Sequence, residues 1–275
     1  MLNNQTAALL RDMKLPAMAA EFLRQLETPA MEALDFAERI GMMVDAEKYN
    51  RESNRIKRLT KAANLRISTA CFADIDYRPS RRLDRAYIAR LSDFKWVREA
   101  RNIILTGSTG TGKTWLACAF GAEACRKGMH VGFYRVNRLI NELIAAQTAG
   151  IFEKTIAKLR KLDVLILDDW GLAGLSASEG RYLLEVFEER YGKGATIISA
   201  QVPVLKWHDL FEDPTVADAA LDRLVNNAYR FELKGHSLRS STYESQNPAM
   251  PCGTQDQNID VQHDISPSED GEHHE

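Results

Sequence analysis

Gly107-Ser108-Thr109-Gly110-Thr111-Gly112-Lys113-Thr114 matches G-x-x-x-x-G-K-[ST], and it stands where a phosphate-binding loop must stand, between a strand and a helix. Asn102-Ile103-Ile104-Leu105-Thr106 before it is a β-branched apolar run, and Trp115 to Ala124 after it is rich in helix formers. The glycines let the backbone turn tightly and aim successive N–H groups inward. With the positive end of the following helix they form a concave anion site before any side chain contributes. Lys113 then reaches the β- and γ-phosphates of a nucleotide, and the Thr114 hydroxyl is placed for Mg²⁺.

Fifty-five residues beyond Lys113, Val164-Leu165-Ile166-Leu167 runs into Asp168-Asp169. An unbroken apolar run reads as a parallel strand buried on both faces, and the acids fall at its C-terminal end, where open α/β sheets gather their chemistry. This is a Walker B pattern. Asp168 is the expected holder of Mg²⁺, and Asp169 the group that orients or deprotonates the water attacking the γ-phosphate. Between the two motifs lie a strand at 131–135 and helices at 136–144 and 153–162. After them come a helix at 176–191, opened by a Ser176/Glu179 capping box, and a strand at 195–199. Gln201, at the tip of that strand, is the candidate for contacting the γ-phosphate or the attacking water, with Ser199 as second choice. A turn-capping role is the structural reading of the same glutamine. Arg223, on a helix at 214–226, and Arg239, after a last strand at 229–233, could each neutralise charge on a transferred phosphoryl group; either could equally serve a structural ion pair.

The fold class expected from this layout is α/β, a P-loop NTPase of the ASCE kind that hydrolyses with a polar sensor residue, with helices flanking a parallel sheet; its placing as AAA+ is what the family resemblance given below implies. A small all-helical domain at 1–66 precedes a core at 67–239, and a disordered acidic tail follows at 240–275. The N-terminal part reads as helices punctuated by Pro16 and Thr28-Pro29, with a third helix from Met31 to about Arg58 that turns Phe36, Ile40, Met43 and Val44 inward. Residues 81–101 read as one amphipathic helix with Arg81, Arg82, Arg85, Arg90, Lys95, Arg98 and Arg101 on its surface. Ahead of it, Phe72, Ile75 and Tyr77 suggest a segment packed on the sheet or near the nucleotide base.

The chain has 275 residues, 45% of them hydrophobic, enough for a full core. No apolar run approaches the length that spans a bilayer and the start lacks a signal-peptide pattern, so a cytoplasmic location is expected. Four cysteines form no C-x-x-C pair, as expected of free or buried thiols in a reducing compartment. The formal net charge of −2 hides an asymmetry, because residues 240–275 carry eight acids and no Lys or Arg, leaving 36 basic against 30 acidic side chains in the rest. Arg51, Arg55, Lys57, Arg58 and Lys61 form a dense basic row broken by one acid, Glu52. On a helix they would meet a phosphate backbone, unless they are only a solvated face.

Gly107 to Thr114, Asp168-Asp169-Trp170-Gly171, Asp213-Pro214-Thr215, Leu221-Asp222-Arg223-Leu224 and Gly235-His236-Ser237-Leu238-Arg239, in this order and spacing, resemble the IstB-like family. These are AAA+ helper ATPases of bacterial insertion sequences, similar to DnaC-type helicase loaders. The resemblance covers about residues 1–239. It implies an AAA+ core without the usual helical lid, homo-oligomers with ATP and Mg²⁺ at subunit interfaces, non-specific assembly on double-stranded DNA, and work with the transposase of the same element. It also implies that Arg223 is the arginine finger, Arg239 the sensor arginine and Gln201 the polar sensor. Asp169 departs from the glutamate common among AAA+ proteins by one methylene. Other functions compatible with the loop are a helicase loader acting on single strands, a small-molecule kinase, and a scaffold that binds ATP without hydrolysing it. The strand ending at Gln201 and the Arg223/Arg239 pair argue against the kinase.

Overall fold

A computed structural model describes residues 2–235, 237 and 238. The expected tail at 240–275 and Arg239 lie outside the described residues. Three helices open the chain: α1 (Leu2–Asp12), α2 (Pro16–Glu27) and α3 (Phe36–Ala63). Pro16 starts α2, where its missing N–H costs nothing. Asp35 caps α3 in a reciprocal box, accepting from the Glu38 N–H at 2.7 Å while Glu38 accepts from the Asp35 N–H at 3.1 Å. Asn64, in the left-handed conformation at φ 50°, ends it.

The expected start of this helix at Met31 is corrected, because Pro29–Ala33 form a separate 3₁₀ turn and the cap at Asp35 sets the true beginning. Its inner stripe also differs. α3 packs on α2, and Met43, Glu47, Leu59 and Ala63 are its buried residues. Phe36 and Val44 instead lie 78% and 50% exposed.

The expected single helix at 81–101 is two short ones, α4 (Arg85–Leu91) and α5 (Lys95–Arg98), separated by Phe94 at φ 59°. The break has a packing cause: it sends both Phe94 and Trp96 inward, where Trp96 meets Phe120 edge-on at 6.0 Å and Phe72 meets the same ring at 4.9 Å. Arg81 is not on the surface either; it is 5% exposed.

The remaining elements alternate: β1 (Asn102–Gly107), α6 (Lys113–Arg126), β2 (Val131–Arg135), α7 (Val136–Thr148), α8 (Phe152–Arg160), β3 (Val164–Trp170), α9 (Ala177–Arg190), β4 (Ala195–Ala200), α10 (Pro214–Val225) and β5 (Ala228–Leu233). All pair in parallel, in the order β2-β3-β4-β1-β5. Successive residues face opposite sides. Ile103, Leu105, Val164, Ile166 and Ile197 pack with α3, α5 and α6, and Ile104, Leu165, Leu167 and Ile198 pack with α7, α8, α9 and α10. Both faces are covered, which is why these strands read as continuous apolar runs. Strand β4 lies between β1 and β3, so its C-terminal residues emerge between the phosphate-binding loop and the paired acids. No helix among the described residues is long and apolar enough to cross a membrane.

Candidate nucleotide-binding site

The loop between β1 and α6 can take its shape only with glycine at its key positions. Gly107 has φ +145°, and a Cβ there would lie 2.2 Å from the Leu233 carbonyl oxygen. Gly110 has φ +83°, and its Cβ would lie 2.1 Å from Ser237 Oγ. The chain after β5 therefore passes directly over the loop, and the Leu238 N–H donates to the Gly110 carbonyl at 3.0 Å. Within the loop, Thr111 Oγ1 donates to the Ser108 carbonyl at 2.8 Å, and Lys113 Nζ donates to the Gly107 and Ser108 carbonyls, both at 2.8 Å.

Arg81 supports the loop from beneath. Its Nη2 donates to the Thr111 carbonyl at 2.6 Å and its Nη1 to the Asp76 carbonyl at 3.3 Å, with the Asp76 carboxylate 3.7 Å away. Burial pulls its pKa below the usual arginine value, with Asp76 acting in the opposite direction. Sequence reading missed this residue, for it sits among seven cations in twenty-one residues and nothing in the pattern separates the buried one.

The two acids are adjacent in sequence and different in surroundings. Asp168 is fully buried, and its Oδ1 accepts from Thr114 Oγ1 at 2.8 Å and from Ser199 Oγ at 2.5 Å. The pairing of β3 with β4 shifts register between Leu167 and Trp170, and Asp169 occupies the bulge at φ +63°. A bulge with a left-handed residue re-aims a side chain out of the ladder. The Asp169 carboxylate is accordingly 30% exposed, 3.6 Å from Arg135 Nε and 3.9 Å from Arg66 Nη1. Arg66 also reaches Asp168 Oδ2 at 3.3 Å. In the sequence it is the last cation of the basic stretch at 51–66, and only the turn at Asn64 separates it from the others.

A hydroxyl and a carboxylate sharing one hydrogen bond beside a phosphate-binding loop are the hard oxygen donors that Mg²⁺ takes with nucleotide phosphates. Among the described residues no group of three or more His, Cys, Asp or Glu could form a protein-only metal cage. Cys118, on α6 near Asp168, has its thiol pushed up to about 11, chiefly by burial, and stays protonated.

Gln201 and Ser199 both arrive at the site, by different routes. Gln201 Oε1 accepts from Thr109 Oγ1 at 2.8 Å, so it touches the phosphate-binding loop, whereas Ser199 is buried against Asp168. Arg223 is elsewhere. Its side chain pairs with Glu188 at 2.9 Å and donates to the Ala219 carbonyl at 2.8 Å. Its own carbonyl accepts from Asn102 Nδ2 at 3.1 Å, at the N-terminal end of β1. Gly107 lies five residues along that strand, about 16 Å away. Arg239 lies outside the described residues.

The basic row on α3 divides. Arg51 pairs with Glu47 at 3.0 Å and donates to the Lys14 carbonyl at 3.3 Å, and Arg55 donates to the Gly128 carbonyl at 3.0 Å. Lys57, Arg58 and Lys61 are exposed and make no ion pair among the described residues. Arg11, Lys14, Arg51, Arg55 and Arg58, with Glu47 the one acid, line an open concavity of about 750 Å³.

A five-stranded parallel sheet in this order, with a P-loop after β1 and paired acids closing β3, defines an ATP-binding P-loop protein of the AAA+ class. The fold is similar to that of DnaA from Aquifex aeolicus bound to AMPPCP (TM-score 0.52, 17% identity, 68% of this chain and 57% of that one). It is also similar to DnaI (TM-score 0.50, 19% identity, 65% and 94%). The chain belongs to the family described as IstB-like ATP binding protein, whose model matches residues 8–246. Similar proteins include one named as an ATP-binding protein of insertion sequence IS1162 in Pseudomonas fluorescens, 42% identical over 74% of this chain and 88% of its own length. Another is the insertion sequence ATP-binding protein y4pL of Sinorhizobium fredii, 40% identical over 87% of this chain and 97% of its own.

Proposed function

We propose that this chain is an insertion-sequence helper ATPase that hydrolyses ATP with Mg²⁺, assembles as a homo-oligomer on double-stranded DNA, and delivers or activates the transposase of its element. The observation that carries the reading is the division of labour at the end of β3. One acid is buried against the Thr114 hydroxyl, and the next is turned out by a bulge, its carboxylate 30% exposed. A protein that only held ATP would need the first acid and not the second.

In this reading the loop N–H groups and Lys113 bind and orient the β- and γ-phosphates, and Thr114 and Asp168 hold Mg²⁺. The bound ion neutralises charge developing on the phosphoryl oxygens. Asp169 accepts a proton from, or orients, the attacking water, and Gln201 fixes the far side of the γ-phosphate from its seat on Thr109. Arg223 is held too far along β1 to serve its own site, which supports a role in the site of an adjacent copy. The partition of domains at 66/67 and the role of Arg239 as a sensor are part of the same proposal. Lys57, Arg58 and Lys61, with the basic concavity beside α3, are the proposed contacts to the DNA backbone, which attracts cations without regard to sequence.

Sedimentation with duplex DNA, single-stranded DNA or neither, with ATP present or absent, tests the assembly. ATP-dependent growth on duplex DNA supports the proposal. Growth on single strands alone would favour a helicase loader instead.

A further inference from the structure

The C-terminal end of α3 points into the catalytic centre. Asn64 turns the chain through a left-handed residue, and two residues later Arg66 reaches both acids, at 3.3 Å from Asp168 Oδ2 and 3.9 Å from Asp169 Oδ2. Asp168 thus has its oxygens filled from three sides, by Thr114 and Ser199 on Oδ1 and by a guanidinium on Oδ2. No other cation lies within ion-pair distance of Asp168 among the described residues.

A divalent ion seated on Thr114 and Asp168 and a guanidinium bonded to the same carboxylate would be like charges a few ångströms apart at a buried group, an arrangement that strongly disfavours one of them. The guanidinium is the one free to move. Its side chain is 36% exposed and forms part of the wall of a cleft of about 820 Å³, which Arg135, Arg138 and Glu142 also line. The cleft gives it room, and the acid that also lines it, Glu142, lies 3.7 Å from Lys158.

We infer that Arg66 is a positioning residue that competes with Mg²⁺ for Asp168: it holds the acid pair in register before the ion binds and must swing into the neighbouring cleft as the ion arrives. The inference rests on the reading of Thr114 and Asp168 as the Mg²⁺ seat. Because Arg66 follows α3 directly, the exchange also links the helix with the exposed basic row to the state of the site.

The test is equilibrium binding of a fluorescent ADP analogue to the full chain, titrated with Mg²⁺ from an EDTA baseline, so that no turnover is involved. Arg66→Ala is expected to lower the Mg²⁺ concentration at half-effect about five- to tenfold, the scale of one charge-assisted hydrogen bond at a partly exposed site. Arg66→Lys is expected to fall between it and the wild type. Arg138→Ala removes a cation from the same cleft without touching the acids, and is expected to leave the midpoint unchanged. Thermal melts establish that each variant is folded. Equal midpoints for the wild type and Arg66→Ala, or an equal shift in Arg138→Ala, would overturn the competition while leaving the Mg²⁺ seat intact. Indifference of every variant to Mg²⁺ would overturn both.

Discussion

Asp168 and Asp169 show how one backbone irregularity separates two chemically identical groups. Continuing the ladder without a bulge would have sent Asp169 to the opposite face from Asp168; the shift beside β4 and the φ of +63° bring it out at the rim of the site instead. Asp169→Asn keeps the shape and removes the proposed base. It is expected to bind ATP as the wild type does and to hydrolyse it about 10² to 10⁴ times more slowly, measured by single-turnover release of phosphate. A wild-type rate would remove Asp169 from the mechanism. The acids and the loop were legible in the sequence because their chemistry demands fixed residue types at fixed spacing. Arg66 and Arg81 were not, because an arginine that reaches a carboxylate or a carbonyl from a distant segment looks like any other surface cation until the chain is folded.

At the scale of elements, α3 is tied to its neighbours by specific polar contacts as well as by packing. Glu47 is buried on its inner stripe and accepts from the Ala17 and Met18 N–H groups at 2.9 and 3.2 Å, capping the start of α2 from across the interface. Burial pushes its pKa up, but Arg51 and the two N–H groups together outweigh that and hold it below the usual glutamate value. A depressed carboxylate stabilises the fold above its unfolded pKa and loses that contribution as pH falls through the folded one. Thermal stability is therefore expected to drop more steeply below about pH 4 in the wild type than in Glu47→Gln, which at neutral pH is already weaker by about 1 kcal/mol. Parallel pH profiles would contradict the assignment.

Farther along the same helix, replacing the exposed Lys57, Arg58 and Lys61 together with Ala is expected to weaken duplex binding. It should also flatten the plot of log affinity against log salt by about two to three units. An unchanged slope would place the DNA on another surface. Arg55 is left out of this set, since its bond to the Gly128 carbonyl makes it part of the packing. The sequence shows the charge run plainly, and periodicity cannot tell which members of it are spent on neighbours. The same limit explains the helix expected at 81–101, where apolar spacing was real but the demand to bury both Phe94 and Trp96 broke the rod.

For the molecule as a whole, the order β2-β3-β4-β1-β5 does the main work, because inserting β4 between the loop strand and the acid strand carries Ser199 and Gln201 into the gap. It also sets Arg223 at the wrong end of β1 to act on its own nucleotide, in an ion pair with Glu188. Arg223→Ala is accordingly expected to lose about 10³-fold or more in hydrolysis while still binding ATP. Mixing it with Asp169→Asn should restore activity, since some interfaces then combine an intact acid with an intact arginine. No recovery at any mixing ratio would mean that Arg223 is a structural partner of α9. The alternation of strands and helices was readable from apolar runs and turn residues. The distance between Arg223 and its own site required the topology.

The account stands most directly on the rate of ATP hydrolysis by the wild-type chain and by Asp169→Asn, each with and without double-stranded DNA in excess. The expected result is slow turnover by the wild type alone, a marked rise with duplex DNA, and neither in Asp169→Asn although it still binds ATP. Hydrolysis that ignores duplex DNA, or that survives the loss of the Asp169 carboxylate, would contradict it.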